Sequence, residues 1–283
     1  TKQTDITLDS FRYKNKVKEN KMKAVFFDID GTIWDAHMWI PESTKRAIRA
    51  LRENGHLTFI CSGRTRAFIQ AEELLDLGFD GIIAGCGTYI EEHGKELFYK
   101  KIEEREAERV LAIFRSCHMS VVMEGKKNLY LDAAEFAGDD YPDRMRKEIG
   151  EHLLPITGNE GKWEISKFSC ALPDPAYQKA VEALQEDYEI LIHDAPVAEF
   201  VPKGFSKASG IQKACELFSI AREDTYAFGD SVNDLDMLRY VAHGVAMGNG
   251  TKEAKAAADY VTTELKDDGI YQGLLHYGLI REI

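Results

Sequence analysis

The sequence lacks any apolar run that approaches the roughly 20 residues needed to span a bilayer. Its first 21 residues are polar and of mixed charge, and they contain no apolar segment like that of a signal peptide. We therefore expect no membrane partner. We also expect residues 1–21 to form a flexible extension outside the fold.

The sequence lacks paired cysteine motifs, and its basic residues are fewer than its acidic ones. The five cysteines are scattered, odd in number and without Cys-x-x-Cys spacing, which argues against a disulfide framework or a zinc site and favours a reducing cytoplasm. They are Cys61, Cys86, Cys117, Cys170 and Cys215. The formal net charge is -12, from 36 Lys and Arg against 48 Asp and Glu, and it argues against a general nucleic-acid partner. It leaves room for a small anionic substrate, since a local site can be positive on an acidic protein.

The order of predicted elements indicates an α/β protein with a second module inserted into it. Apolar strands alternate with helical stretches over residues 22–84 and again over 195–283, which predicts a Rossmann-like, doubly wound parallel sheet as the core domain. One of the helices is expected at Arg64–Leu77, where apolar residues recur on one side. Residues 85–194 mix hairpins with helices, beginning with a hairpin at Tyr89–Tyr99, and predict an α+β domain.

Two carboxylates, Asp28 and Asp30, follow the first apolar strand of the core, with Gly31 and Thr32 directly after them. Two close negative charges at the end of a buried strand resist ionising together unless a cation binds between them. An ordinary turn is the alternative, because Asp and Gly suit loops. A calcium loop is excluded, because its twelfth position is Trp39 and not Glu. The pair therefore indicates a metal ion, a phosphate-handling reaction or both.

Polar groups also follow the other core strands. Ser62 and Gly63 come after the second strand, and each could belong to a simple turn with a helix N-cap. Lys203 and Lys207 lie where the chain returns to the core, and the acidic loop 229–234 follows the next strand. Ligands of open parallel sheets bind at the carboxyl ends of the strands. Together, these loops predict a site that binds a phosphate with Mg²⁺.

The four motifs, taken in order, resemble those of the haloacid dehalogenase superfamily. The inserted domain stands between the second and third motifs, as a type II (C2) cap does. The segments 229–234, 245–250 and 267–270 read Gly-Asp-Ser-Val-Asn-Asp, Val-Ala-Met-Gly-Asn-Gly and Asp-Asp-Gly-Ile, and they resemble the Cof-type hydrolases of that superfamily. The resemblance extends from about residue 22 to residue 283.

The resemblance implies a role for each motif residue. Asp28 would be the nucleophile that forms an aspartyl-phosphate, and Asp30 the general acid and base, oriented by Thr32. Lys207 would pair with Asp28 and neutralise charge, with Lys203 as the alternative. The substrate-binding residues would be Thr32, Ser62, Gly63 and Asn233, with Ser62 and the amide of Gly63 at a helix N-terminus. The residues around Mg²⁺ would be Asp28, Asp30 through its carbonyl, Asp230, and Asp234, which would act from behind the ligands or through water.

The expected activity is hydrolysis of a small phosphorylated cytoplasmic metabolite. Sugar phosphates are the first expectation, ahead of pyridoxal, flavin or thiamin-pathway phosphates. Two alternatives stay open, a phosphomutase that relays phosphate between sugar positions and a non-catalytic ligand-binding protein on the same fold.

Cys86 departs from the pattern of the family, and Asn249 is a further candidate for the site. The family usually has Asn-Gly at the entrance to the cap, where this chain has Cys86-Gly87, and we interpret the segment as a hinge. Asn249 lies between two glycines after a core strand, either near the phosphate or as a turn residue.

Overall fold

The computed structural model describes residues 21–136, 138–171, 177–192 and 197–282, and it organises them around two sheets. The strands are β1 (Ala24–Phe27), β2 (Leu57–Cys61), β3 (Gly81–Ala84), β4 (Tyr89–Glu92), β5 (Lys95–Tyr99), β6 (Val121–Gly125), β7 (Leu129–Tyr130), β8 (Leu153–Leu154), β9 (Ile165–Ala171), β10 (Tyr188–Ile192), β11 (Val197–Pro202), β12 (Thr225–Gly229), β13 (His243–Ala246) and β14 (Tyr260–Val261). The α-helices are α1 (Glu42–Glu53), α2 (Glu72–Leu75), α3 (Glu104–Ser116), α4 (Tyr141–Ile149), α5 (Tyr177–Leu184), α6 (Lys207–Phe218), α7 (Leu235–Tyr240), α8 (Lys252–Ala257) and α9 (Gly269–His276).

The larger sheet has the order β14-β13-β12-β1-β2-β3-β4-β5. Its pairings are parallel from β14 to β3, and the last two are antiparallel. The last residue of β1, Phe27, stands level with Ile60 of β2 and Phe228 of β12. The loops after these three strands therefore emerge side by side at one edge of the sheet, as the sequence predicted.

Both faces of the larger sheet are covered by helices, which confirms the doubly wound α/β fold. Val25 and Phe27 pack with residues of α1 and α9, whereas Ala24 and Phe26 pack with residues of α6 and α7. Successive side chains of a strand point to opposite faces, so a strand buried on both faces must be apolar throughout. The run from Ala24 to Phe27 meets that condition, with all four residues fully buried.

The smaller sheet has the order β10-β11-β9-β6-β7-β8 and is antiparallel apart from the pairing of β7 with β8. One face packs against α3 and α5 through apolar residues such as Phe114, Phe168 and Phe200. The alternate residues of β6, β9 and β11 lie on the other face, where a polar cluster faces the larger sheet. This cluster consists of Glu124, Lys167, Ser169 and Glu199.

Several expectations about local structure differ from what is observed. The helix expected at Arg64–Leu77 is instead a 3₁₀ turn at Arg66–Phe68 and the short α2, joined by an irregular segment. Ala67 and Phe68 pack against apolar residues of the smaller sheet, so a tertiary contact overrides the helical spacing of the apolar residues. The hairpin β4–β5 is confirmed, with positive φ at His93 and Gly94 (45° and 79°).

Both boundaries between the two sheets come later in the sequence than the predicted domain boundaries. The hairpin β4–β5 was expected in the inserted domain but extends the larger sheet, and β11 was expected in the core but belongs to the smaller sheet. The hairpin follows β3 through a turn short enough for β4 to pair with it directly. The predicted extension falls outside the described residues, apart from Lys21, which contacts Asp224. No helix in the described ranges combines the length and apolarity that crossing a bilayer requires.

Candidate active site

Asp28 is held at the carboxyl end of the central strand. Its amide donates to the carbonyl of Phe228 at 3.0 Å, which prolongs the pairing of β1 with β12 by one residue. The side chain is buried, with 4% of its surface exposed. Gly31 then turns the chain with a φ of +80°, and a Cβ atom at this position would collide with the carboxylate of Asp230. A glycine is therefore required where the two acidic loops meet.

Lys207 joins the two acidic loops. Its Nζ lies 2.6 Å from Oδ1 of Asp28 and 2.5 Å from Oδ1 of Asp234, and the side chain is 1% exposed. Burial alone would lower the pKa of Lys207, but the charges of Asp234 and Asp28 raise it well above its ordinary value. Lys203 instead pairs with Glu189 at 3.3 Å, with 47% of its side chain exposed. The geometry thus brings Lys207, and not Lys203, to the expected nucleophile.

Three carboxylates at this edge could hold a divalent cation. One oxygen from each of Asp28, Asp230 and Asp234 lies within 4.8 Å of the others. Burial raises the pKa of Asp28 well above its ordinary value despite Lys207, and burial, reinforced by Asp234, raises the pKa of Asp230 to about 7. Buried carboxylates that resist ionisation, and that offer hard oxygen donors, fit a divalent cation.

Asp234 has both oxygens engaged by the protein. Oδ1 contacts Lys207, and Oδ2 accepts hydrogen bonds from the amides of Asp230 (2.9 Å) and Ser231 (3.0 Å). These contacts favour an indirect role, in which Asp234 fixes Lys207 and shapes the loop of Asp230. Thr32 also differs from expectation, because its hydroxyl donates to Oδ1 of Asp230 at 2.9 Å and not to Asp30.

Asp30 is held by two residues that the sequence analysis missed. Arg64 donates to both of its carboxylate oxygens, through Nε at 2.7 Å and Nη2 at 3.0 Å, and Nε1 of Trp34 donates at 2.9 Å. Burial opposes ionisation, but these hydrogen bonds and the Arg64 charge lower the pKa of Asp30 below its ordinary value. Arg64 also bonds Glu148 of α4 at 2.9 Å, so it links Asp30 to the inserted domain. The sequence signal that could have identified Arg64 and Trp34 is their position close to motif residues.

The loop after β2 emerges next to the loop of Asp28, because Ile60 stands level with Phe27. The amide of Ser62 donates to the carbonyl of Ile83, and its hydroxyl oxygen accepts from the amide of Arg64 at 3.1 Å. Ser62 is buried, with 2% of its surface exposed. The expected helix N-terminus is absent from this loop, because a bend and the 3₁₀ turn at Arg66–Phe68 follow Gly63.

Two asparagines of the predicted site have protein partners. Oδ1 of Asn233 accepts from the hydroxyl of Ser231 at 2.6 Å. Asn249 donates to the carbonyl of Gly31 and accepts from the amide of Leu265, both at 2.8 Å. Asn249 therefore braces the turn after Asp30, which agrees with the structural alternative for this residue.

Known proteins resemble this chain over most of its length. The model of the haloacid dehalogenase-like hydrolase family matches residues 25–274. The chain is 34% identical over 264 residues to the "Putative phosphatase YkrA" of Bacillus subtilis, and the match covers 92% of this chain and 99% of that protein. It is 26% identical over 277 residues to the 5-amino-6-(5-phospho-D-ribitylamino)uracil phosphatase YitU of the same organism, covering 92% of this chain and 98% of YitU.

The solved structures show the same relationship. The structure of the HAD subclass IIB sugar phosphatase BT4131 superimposes with a TM-score of 0.77 at 28% identity, covering 92% of this chain and all of that one. A structure from Geobacillus kaustophilus HTA426 gives a TM-score of 0.79 at 28% identity over the same share of this chain. The chain therefore belongs to the haloacid dehalogenase-like hydrolases, as an enzyme of the Cof type within that family's phosphatases.

Proposed function

We propose that this enzyme is a Mg²⁺-dependent phosphatase that hydrolyses a small phosphorylated metabolite through an aspartyl-phosphate on Asp28. The observation that carries the proposal is the contact of Lys207 Nζ with both Asp28 and Asp234, beside the carboxylate of Asp230. A lysine buried against a nucleophilic carboxylate lets that anion approach an anionic phosphate. At ~4 Å and an effective dielectric of ~20, each repulsive charge pair costs about 4 kcal/mol.

The metal would be held by the carboxylates of Asp28 and Asp230 and by the backbone carbonyl of Asp30. Asp234 would support this set through the backbone amides that it binds. When bound, Mg²⁺ supplies positive charge that stabilises the transferring phosphoryl group.

The chain's own residues divide the reaction between them. An oxygen of Asp28 attacks phosphorus, and the bond from phosphorus to the alcohol oxygen breaks as that oxygen takes a proton from Asp30. In the second step Asp30 takes a proton from water, the water oxygen attacks phosphorus, and the bond to Asp28 breaks to release phosphate. Ser62 and the amide of Gly63 hold the phosphate oxygens throughout. Because Arg64 and Trp34 bind the ionised form of Asp30, Asp30 must leave these partners to carry the proton.

Sugar phosphates are the substrates that we propose first. BT4131 is a sugar phosphatase, and the named substrate of YitU carries its phosphate on a ribityl chain, so both relatives act on polyhydroxylated phosphate esters. All five cysteines are unpaired and buried, which supports the reducing, cytoplasmic setting that we propose. A small metabolite is the proposed partner, without nucleic acid or membrane.

A panel of phosphate esters assayed for free phosphate, with Mg²⁺ and with EDTA, tests the proposal. We expect the highest kcat/KM on a sugar or sugar-alcohol phosphate, and we expect activity to disappear in EDTA and to return with added Mg²⁺. The Asp28→Asn variant provides the background. Phosphate release that requires a bisphosphate activator, or that persists in EDTA, would contradict the proposal.

A further inference from the structure

Lys167 is a fully buried lysine of the smaller sheet, and it reaches the phosphate-binding loop of the larger one. It lies on β9, with 1% of its side chain exposed. Its Nζ donates to the carbonyl oxygen of Gly63 at 2.8 Å, and it pairs with Glu199 at 2.8 Å and Glu124 at 3.5 Å. The lysine thus has a partner in each of two strands of its own sheet and a third partner in the loop after β2.

The carbonyl that Lys167 binds belongs to the peptide between Gly63 and Arg64. The amide of the same peptide donates to Oγ of Ser62 at 3.1 Å. A cation on the carbonyl oxygen fixes the plane of this peptide and strengthens its N–H as a donor. A serine hydroxyl has one proton to donate, and when its oxygen accepts from a neighbour the proton is aimed elsewhere. One peptide bond therefore links the charge of Lys167 to the hydroxyl of Ser62.

The partners of Lys167 are themselves fixed. Glu124 accepts from the hydroxyl of Ser169 at 2.6 Å and from that of Thr65 at 3.3 Å, and both Glu124 and Ser169 are buried. Burial would lower the pKa of Lys167, but Glu124 and Glu199 raise it well above its ordinary value. The lysine is therefore charged at neutral pH and held in one position.

The contact with Gly63 belongs to a row of contacts along the loop. Three consecutive residues of the loop each bond the inserted domain: Gly63 accepts from Lys167, Arg64 donates to Glu148, and Thr65 donates to Glu124. The inserted domain also approaches position 63 closely, because a Cβ there would lie 3.3 Å from a carboxylate oxygen of Glu199. The loop that is expected to hold phosphate is thus shaped from the side of the inserted domain.

We propose that Lys167 is a positioning residue for phosphate binding, which acts on the Ser62 hydroxyl through the Gly63–Arg64 peptide. The inference rests on the proposed function, since that function assigns Ser62 to the phosphate. Because Lys167 and Ser62 belong to different sheets, the phosphate site is complete only while the two sheets are in contact. A displacement that breaks the bond from Lys167 to Gly63 releases Ser62 and weakens phosphate binding.

The test compares Lys167→Met with Lys126→Met. Lys126 is the matched control because it also joins the two sheets, through Glu96 of β5 at 2.9 Å, but does not touch the phosphate loop. Affinity for inorganic phosphate in the presence of Mg²⁺ is measured by calorimetry and as competitive inhibition. We expect Lys167→Met to weaken phosphate binding about 10- to 100-fold, as for a lost hydrogen bond to a charged group. The control should change it less than about twofold.

Two further measurements separate positioning from a merely structural role. The loss in kcat/KM should be the same for a sugar phosphate and for p-nitrophenyl phosphate, because Lys167 acts on the phosphate and not on the leaving group. In a Ser62→Ala background, Lys167→Met should add less than about threefold, because the group through which it acts is gone. Lys167→Arg should restore much of the phosphate affinity. Thermal unfolding checks that each variant is folded. If Lys167→Met does not fold, the double variant Glu124→Gln/Lys167→Met replaces it, because it removes both charges of one ion pair.

An unchanged phosphate affinity in Lys167→Met, or a full additional loss in the Ser62→Ala background, would overturn the inference. So would a loss that depends on the leaving group, which would make Lys167 a contact to the alcohol. A wild-type protein that hydrolyses no phosphate ester contradicts the proposed function itself. The two failures are therefore distinguished by the wild-type assay alone.

Discussion

Among the residues that the structure describes, two buried lysines lie in nearly the same surroundings, one in each sheet region. Lys207 and Lys167 are each 1% exposed, and each lies between two carboxylates. The acids are Asp28 and Asp234 around Lys207, and Glu124 and Glu199 around Lys167. Breaking either group should be costly, because removal of a buried lysine leaves two acids without their counter-charge.

The two groups differ in what else touches them. Beside Lys207 stands a further carboxylate, Asp230, whose pKa is raised to about 7 by burial and by Asp234. This surplus of acid is what a divalent cation would offset. Lys167 instead makes its third contact with a backbone carbonyl, that of Gly63. Similar ion pairs thus serve two tasks, direct contact with the reacting carboxylate in one case and placement of a loop in the other.

The largest effect should come from Asp28→Asn, which removes the proposed nucleophile. We expect turnover to fall about 10⁴-fold or more, since loss of a nucleophile has effects of this size in other enzymes. The fold should persist, because an asparagine side chain has the same size as an aspartate side chain and Asp234 still pairs with Lys207. Phosphate release and thermal unfolding are the two measurements. Wild-type hydrolysis by the variant would remove Asp28 from the mechanism.

Lys207→Met should show most clearly how the role of Lys207 differs from that of Lys167. It leaves Asp28 and Asp234 buried without their lysine, and we expect the free energy of unfolding to fall by about 3–5 kcal/mol. Lys167→Met should destabilise the protein by a similar amount. Turnover, however, should fall about 10²- to 10³-fold for Lys207→Met, beyond the loss for Lys167→Met, because Lys207 touches the reacting carboxylate.

Chemical denaturation and steady-state kinetics on both lysine variants check this comparison. Equal catalytic losses from the two would show that the contact with Asp28 has no special role. The Lys126→Met variant again supplies the baseline for a lysine that joins the sheets elsewhere.

The surplus acid of the core group predicts that the stability of the protein depends on pH through Asp230. The folded-state pKa of Asp230, about 7, lies above its ordinary value of 3.8, so the folded protein binds the proton more tightly than the unfolded chain does. Stability of the EDTA-treated protein should therefore fall as pH rises between these values, by at most about 1.4 kcal/mol per pH unit for this proton. Asp230→Asn should reduce the slope, and Mg²⁺ should restore stability at pH 8. A slope identical in the wild type and Asp230→Asn would contradict the assignment.

The core site was predictable because its parts lie at strand ends. Apolar runs gave the positions of β1, β2 and β12, and their parallel order brings Asp28, Ser62 and Asp230 to one edge. The partners of Asp30 were within reach of the same reasoning, because Trp34 lies one short turn beyond it and Arg64 follows the second motif. The sequence pattern could not show which carboxylate each donor binds. The hydroxyl of Thr32, for example, donates to Asp230 and not to Asp30.

The Lys167 group could not be assembled from the sequence. Glu124, Lys167 and Glu199 come from three strands far apart in the chain, and only the pairing of β6 and β11 with β9 makes them neighbours. A charged residue inside an apolar strand was the available signal for Lys167, but its partner, a backbone carbonyl, has no signature in the sequence. The missed break in the helix expected at Arg64–Leu77 has the same origin, because contacts with the smaller sheet decide it.

The smallest predicted effect concerns how each lysine is held in place. Lys207 is the first residue of α6, and a reciprocal pair of hydrogen bonds caps this helix, from the amide of Ser209 to Ser206 Oγ at 3.2 Å and from the amide of Ser206 to Ser209 Oγ at 2.9 Å. Lys167 is instead held by strand pairing on both sides of β9. Ser206→Ala should lower the free energy of unfolding by about 1 kcal/mol, the usual cost of a lost N-cap. It should also lower kcat several-fold, because the start of α6 places Lys207 against Asp28.

The matched control is Ser116→Ala, at the exposed end of α3, where the hydroxyl donates to the carbonyl of Ile113 and also contacts the sulfur of Cys117. Its effect on stability should stay within about 0.5 kcal/mol, as for an ordinary surface substitution. The helix cap positions Lys207 and not Lys167. Ser206→Ala should therefore lower kcat by disturbing the contact of Lys207 with Asp28, while the contact of Lys167 with Gly63 is kept. If Ser206→Ala weakens phosphate affinity as strongly as Lys167→Met does, the two lysines share one structural unit and the division of tasks between them is wrong.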